Sequence, residues 1–249
     1  MDKVALVTGG SKGIGYACAE RLLADGYAVA ICARNADEVS AAASRLGAPD
    51  RVLGLQADVG SVEDCAGLVP TVLERFGRVD VLVNNAGVYR PVPFLDLTAQ
   101  TWNETMDINV RGPVLIGGAA ARAIRDQGSG GRIVNIASTG GQLSEAEFAH
   151  YNASKAAIIS LTKSMSVELA PLGILVNAVA PGWVLTPLSE PFLRTLTEDS
   201  LARISPLRRV GLAAEVAGAV SFLCGNDATY ITGVTVNVDG GLTAMHPAI

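Results

Sequence analysis

Thr8-Gly9-Gly10-Ser11-Lys12-Gly13-Ile14-Gly15 is the stretch whose reading decides the fold. It follows directly on the short apolar run Val4–Thr8 and opens a helical pattern over 13–25. Glycines there leave the backbone bare, so a pyrophosphate can lie against the helix N-terminus, where unpaired N–H groups and the helix dipole favour an anion. An ordinary glycine turn has the same composition. The position, straight after the N-terminal strand, is what points to a dinucleotide.

Working outward, short β-branched runs alternate with longer helical patterns. Strands are predicted at Val4–Thr8, Ala28–Ala33, Val52–Gln56, Val79–Val83, Ile133–Ala137, Ile174–Ala180 and Thr235–Val238. Helices are predicted over 13–25, 36–46, 61–76, 98–126, 150–170 and 212–224. This alternation predicts an α/β fold, a doubly wound parallel sheet with right-handed crossovers. Gly112-Pro113 should disturb the hydrogen-bond ladder within 98–126. The stretch 183–210 breaks the rhythm with Pro187, Pro191 and Pro206 among apolar residues, and reads as a partly helical flap.

The 249 residues show no linker, low-complexity run or internal repeat, so one domain over 1–249 is expected. Hydrophobic residues are 49% and charged residues 17%, which suits a sheet buried on both faces and an oligomer. The net charge of -5 and the lack of a basic stripe argue against nucleic acid. The start of the chain does not read as a signal peptide, and no apolar run is long enough for a membrane span. Cys18, Cys32, Cys65 and Cys224 form no CxxC pair, and His150 and His246 are the only histidines. Reduced thiols, a cytoplasmic location and no metal are the expectation.

Tyr151 and Lys155 stand four residues apart, one helical turn, so phenol and ammonium share a face. A free tyrosine ionises near pH 10 and is a poor acid at neutrality. A cation held about 4 Å away is worth roughly 4 kcal/mol, enough to bring that pKa to about 7. Such a proton donor beside a dinucleotide implies hydride chemistry.

The end of the second strand, where a carboxylate would hold the ribose hydroxyls of NAD, reads Ala33-Arg34, with Lys12 nearby. Two cations and no carboxylate suit a 2′-phosphate, hence NADP(H) over NAD(H), the lesser alternative being that Arg34 is a solvated strand-end residue. Asp58, followed by Val59, could accept from the adenine amino group or cap the next helix. Asn84-Asn85-Ala86-Gly87 allows close approach to a ribose, and alone would read as a turn. Asn109 is an ordinary helix residue except for its company. Ser138 ends the fifth strand, at the edge where open α/β sheets bind ligands.

Together these residues resemble the short-chain dehydrogenase/reductase family, from Val4 to Val236-Asn237-Val238-Asp239-Gly240-Gly241. Five motifs occur in order: TGGSKGIG, NNAG, the Asn109 region, Ser138 with YNASK, and Pro181-Gly182 with Thr186. The resemblance implies a seven-stranded Rossmann-type domain with helices on both faces, usually a homotetramer or dimer. It implies that Tyr151 is the acid/base, Ser138 polarises the carbonyl, and Lys155 binds the ribose and lowers the tyrosine pKa. Asn109 would hold a water leading from Lys155 to solvent. Cofactor contacts would come from Gly9, Ser11, Lys12, Gly13, Ile14, Gly15, Arg34, Asp58, Val59, Asn85, Ala86, Gly87, Tyr151, Lys155, Pro181, Gly182, Val184 and Thr186.

The expected activity is NADP-dependent interconversion of a carbonyl and a secondary alcohol, with a small ketone or aldehyde as substrate. Tyr89, Phe94, Leu143, Phe148, Trp183, Leu188 and Phe192 border the expected cleft and suit an apolar ketone, though several could simply pack the flap. Many relatives in the family are 3-oxoacyl-[acyl-carrier-protein] reductases. These present cations to the carrier where this chain has Ser129 and Leu172, which weakens that alternative. A non-catalytic NADP sensor and a sugar-nucleotide epimerase or dehydratase are further rivals. The intact Ser138, Tyr151, Lys155 and Asn109 set argues against the sensor. The lack of an obvious separate substrate domain argues against the epimerase or dehydratase.

Overall fold

The computed structural model describes residues 2–195 and 197–245, so His246 lies outside the described residues. The strands are β1 (Val4–Thr8), β2 (Ala28–Ala33), β3 (Val52–Gln56), β4 (Val81–Asn84), β5 (Gly131–Ile136), β6 (Ile174–Pro181) and a pair of two-residue strands, β7 (Val184–Leu185) and β8 (Gly211–Leu212), followed by β9 (Thr235–Val238). Seven of them form one parallel sheet in the order β3-β2-β1-β4-β5-β6-β9, while β7 and β8 pair separately. The helices are α1 (Gly13–Ala24), α2 (Ala36–Leu46), α3 (Val62–Phe76), α4 (Ala99–Met106), α5 (Gly112–Gln127), α6 (Ala149–Leu169), α7 (Glu190–Leu193), α8 (Glu198–Ile204) and α9 (Ala213–Cys224).

Alternate residues of each strand point to opposite faces, so each strand feeds two cores. Ala5, Val7, Val29, Ile31 and Val83 pack with Leu22 of α1, Val39 of α2 and Val220 of α9. Leu6, Ala30, Leu82 and Ile133 pack on the other face with Leu68 and Val72 of α3 and Ile116 and Ile124 of α5. Burial on both faces is why the strands read as continuous apolar runs. β1 lies between β2 and β4 in register, Leu6 opposite both Ala30 and Leu82. The chain leaves β1 toward β2 and β3, then returns to β4 on the far side. The loops after β1 and β4 therefore diverge and leave a crevice at the carboxyl ends of the strands.

The single helix expected over 98–126 is two helices joined by a π turn at Asp107–Arg111. An α-helical bond to the Asn109 carbonyl would have to come from residue 113, a proline with no N–H. Gly112 also lets this turn close onto the next loop, since a Cβ there would lie 2.6 Å from the Val59 carbonyl oxygen.

Candidate active site

The glycine loop leaves β1 and enters α1 over Lys12, whose side chain does not cap the helix. The first amides of α1 thus keep no side-chain partner and remain available to an anion. Gly13 adopts φ +58°, and a Cβ on it would reach 3.4 Å from Thr186 Cβ, so the loop faces the segment after β6. At Gly15 a Cβ would run into the Gly9 carbonyl oxygen and Asn85 Nδ2. Ile14 packs beneath, against the core. These features fit a dinucleotide pyrophosphate.

Asn85 ties this loop to β4. Its Nδ2 donates to the Thr8 and Gly9 carbonyls at 2.8 and 3.1 Å, and the backbone N–H groups of Asn85 and Ala86 donate to Thr8 Oγ1, both at 3.0 Å. The two loops that diverge at the switch point are thereby locked together. Gly87 follows, facing Asn109 and Lys155: a Cβ there would sit 3.3 Å from Asn109 Oδ1 and 3.7 Å from Lys155 Nζ.

Ser138 stands two residues beyond β5 in extended conformation, its hydroxyl accepting from the Gly140 N–H at 3.0 Å. Ser138 and Tyr151 converge around Gly140, where a Cβ would lie 3.4 Å from Ser138 Oγ and 3.3 Å from Tyr151 Cε1. Lys155, buried one turn along α6, donates to the Ile136 carbonyl at 2.8 Å, with Nζ 5.7 Å from the Tyr151 ring centre. Asn109 is buried, its amide spent on both backbone polar groups of Val88 (2.8 and 3.1 Å) and on Ser154 Oγ (3.0 Å).

One expectation is overturned here. Lys155 does not bring the Tyr151 pKa toward neutrality. Burial pushes that phenol up to about 12, the Ser138 hydroxyl offsetting and the Glu145 carboxylate adding to the rise. Burial also lowers the Lys155 ammonium to about 8. Desolvation is the largest cause of the Tyr151 shift and the cause of the Lys155 shift. Tyr151 is therefore held as a neutral phenol, the protonation state a proton donor needs.

The adenosine end also differs from expectation. Arg34 is exposed, and its side chain makes no hydrogen bond or ion pair among the described residues. Lys12, however, is paired with Glu38 at 3.2 Å, and Ser11 Oγ donates to the same carboxylate at 3.5 Å. A carboxylate is thus present beside the glycine loop, and only one of the two cations is uncommitted. Glu38 is brought there by its place in α2: Asn35 caps the helix by accepting from the Glu38 N–H at 2.9 Å. The spacing Asn35-x-x-Glu38 was a legible signal, since residue N3 of a capped helix turns back toward the preceding strand. Asp58 accepts from the Gly60 N–H at 2.8 Å, and Ser61, not Asp58, caps α3. Val59 is buried next to it.

Beyond β6, Gly182 donates to the Val238 carbonyl at 3.0 Å, so Pro181-Gly182 is held to the last strand. Val184 is buried in β7, and Thr186 bonds with Ser189, which also donates to the Val184 carbonyl. The segment then carries α7 and α8, and Trp183 stacks on Phe192 with centroids 4.7 Å apart. Leu188, Phe192 and Leu143 are substantially exposed. Phe94, on a 3₁₀ turn, is 72% exposed and makes no ring contact with the others. Tyr89 and Phe148 do reach Tyr151: Tyr89 stacks on Phe148 at 4.0 Å and meets Tyr151 edge-on at 4.8 Å. The Tyr89 hydroxyl donates to Glu145 at 2.9 Å. Glu145 sits in the loop between Ser138 and Tyr151, and no spacing rule singled it out.

A family model described as enoyl-(acyl carrier protein) reductase matches residues 9–243. The human dehydrogenase/reductase SDR family member 4 is 40% identical, over 96% of this chain and 87% of its own. The crystal structure of acetoin dehydrogenase from Enterobacter cloacae superposes with a TM-score of 0.91 at 37% identity, covering 100% of this chain and 98% of that one. The 3-ketoacyl-(acyl-carrier-protein) reductase from Brucella melitensis, solved with NADH, gives 0.90 at 34% identity over 97% and 98%. Sheet order, glycine loop and these likenesses agree: the chain belongs to the short-chain dehydrogenase/reductase family, oxidoreductases acting on carbonyl and CH–OH groups.

Proposed function

We propose that the chain reduces a free ketone or aldehyde with NADPH, and runs the reverse oxidation with the same groups. The observation that carries this reading is the convergence of Ser138 Oγ and the Tyr151 phenol around Gly140, beside the locked glycine loop and in front of Lys155. When bound, the nicotinamide supplies or takes up the hydride. Ser138 donates a hydrogen bond to the substrate carbonyl oxygen, and Tyr151 passes its proton to that oxygen as negative charge develops. Lys155, fixed by the Ile136 carbonyl, places a cation beside Tyr151 and the ribose. Asn109 fixes the backbone at Val88 through its side chain, and would hold the water that serves Lys155.

Gly9, Ser11, Gly13, Ile14 and Gly15 would line the pyrophosphate, Asn85, Ala86 and Gly87 the nicotinamide ribose, and Asp58 with Val59 the adenine. Pro181, Gly182, Val184 and Thr186 would meet the carboxamide. The uncommitted Arg34 cation supports the NADPH preference, and the Lys12–Glu38 pair limits it. The relative solved with NADH makes selectivity the point to measure. A free substrate is favoured over a carrier-linked one. Ser129 and Leu172 offer no cation, Arg125 is paired with Asp126 at 2.8 Å, and Arg132 donates to a backbone carbonyl. Exposed Val167, Leu172 and Tyr230 support burial in a homotetramer or dimer. Four free buried cysteines support a cytoplasmic setting, and among the described residues no helix is long and apolar enough to cross a membrane.

Tyr151→Phe tests the reading. Turnover should fall about 10³-fold while NADPH affinity, followed by fluorescence titration, changes little. Near-normal turnover sinks the mechanism.

A further inference from the structure

The wall next to Tyr151 is not purely apolar. Tyr89 bridges it: its ring contacts Tyr151 and Phe148, and its hydroxyl ends on Glu145 Oε1. The backbone of Glu145 is held by the helix that carries Tyr151, since Asn152 Nδ2 donates to its carbonyl at 3.2 Å. Carboxylate and phenol are thus mounted on one support. Glu145 Oε2 accepts no hydrogen bond among the described residues, so the carboxylate, linked to Tyr151 through the Tyr89 ring, keeps an open acceptor. Burial pushes the Glu145 carboxyl above the usual carboxylate range, with the Tyr89 hydroxyl acting the other way. A half-desolvated acceptor of this kind gains most from a donor that arrives with the substrate.

The chemistry of that donor is constrained. A substrate carboxylate or phosphate would be repelled by Glu145. An ammonium would bring a second cation to the side of Tyr151 that holds the buried Lys155, whose Nζ is 5.7 Å from the Tyr151 ring. A neutral hydroxyl meets neither penalty. We propose that Glu145, held in place by Tyr89, is a specificity-determining acceptor for a hydroxyl on the carbon next to the reacting carbonyl. Hydroxyketones, and vicinal diols in reverse, are then the preferred class. This rests on the carbonyl-reductase reading above and narrows it.

The test is steady-state NADPH oxidation with 3-hydroxybutan-2-one and butan-2-one, a pair differing by one hydroxyl. The wild-type enzyme should favour the hydroxyketone at least tenfold in kcat/KM, mainly through KM. Glu145→Leu should bring the ratio near one by raising the hydroxyketone KM, and Tyr89→Phe should lower it partway. Glu145→Gln, which keeps the shape and loses the charge, should also lower it, and it serves if the leucine variant fails to fold. A ratio that survives both Glu145 substitutions, or an equal loss on both ketones, overturns the proposal. Equal wild-type kcat/KM on the two ketones overturns it alone. Activity on neither ketone overturns the carbonyl-reductase reading, and this proposal with it.

Discussion

The two sides of the crevice are built on different principles. On the nucleotide side, from Thr8 to Gly15 and Asn85 to Gly87, the two loops are tied together by the Thr8 hydroxyl and the Asn85 amide bonding to backbone, and Gly9 and Gly15 leave no room for a Cβ. On the substrate side, Tyr89, Glu145, Phe148, Trp183 and Phe192 meet through side chains drawn from distant loops. A backbone-built site demands particular residue types at fixed spacing and tolerates little. A side-chain-built site can be repacked, which is how one scaffold comes to accept different substrates.

The largest expected effect lies on the nucleotide side. Gly15→Ala drives a Cβ into the Gly9 carbonyl and Asn85 Nδ2. Neither can yield without breaking the lock between the β1 and β4 loops, which Asn85 maintains through Thr8 and Gly9. We expect loss of about 2–3 kcal/mol of stability, read as a fall of roughly 5–10 °C in melting temperature, with NADPH affinity reduced at least 100-fold. Gly67→Ala in α3 is the matched control, since a Cβ there meets nothing within 4 Å. It should be neutral or slightly stabilising. If both alanines behave alike, the contrast between built backbone and incidental glycine fails.

Cofactor selectivity should respond less steeply. Arg34→Asp replaces an uncommitted cation by an anion, and we expect NADPH kcat/KM to fall about tenfold relative to NADH, a change of about 1.4 kcal/mol. Glu38→Gln releases Lys12 from its ion pair and should move the ratio the other way by a smaller factor. The pair of variants, assayed with both cofactors, separates Arg34 from Lys12. Selectivity indifferent to both substitutions would remove the charge argument.

The same division explains what the sequence made legible. β1 and β2 fell at their predicted limits because each is an apolar run buried on both faces, and β3 did so as a shorter, partly exposed run, Val-Leu-Gly-Leu-Gln, at the sheet edge. The glycine loop and NNAG were readable because bare backbone admits so few residue types. The interruption near Asn109 was foreseeable from Pro113, although its π form was not. The Tyr151–Glu145 relation was not readable. Tyr89 and Glu145 are 56 positions apart, and their bond depends on two loops whose course no local pattern dictates. The Tyr151 pKa failed for a related reason. Spacing gave its distance from Lys155 along the helix, but the sign of the shift is set by burial, a property of the whole fold. Glu38 lay between these cases, since its helix position was legible and its partner was not.

The smallest effect is expected in the segment beyond β6. Phe192 is 48% exposed and stacks on Trp183 from α7, a helix of only four residues. An aromatic pair of this kind contributes about 0.5–1.5 kcal/mol, part of it retained by solvent contact in the half-exposed ring. Phe192→Ala should therefore leave the melting temperature within about 2–3 °C of wild type. The ring lies beyond Val184 and Thr186, and Thr186 faces Gly13 of the glycine loop, where an added Cβ would come within 3.4 Å of it. Loosening it should raise the substrate KM a few-fold with kcat nearly constant, the pattern of lost uniform binding. A drop in melting temperature as large as that of Gly15→Ala would show that the segment belongs to the core and not to an adaptable wall. A fall in kcat without change in KM would place Phe192 in the chemistry, and the division between the two sides of the crevice would no longer hold.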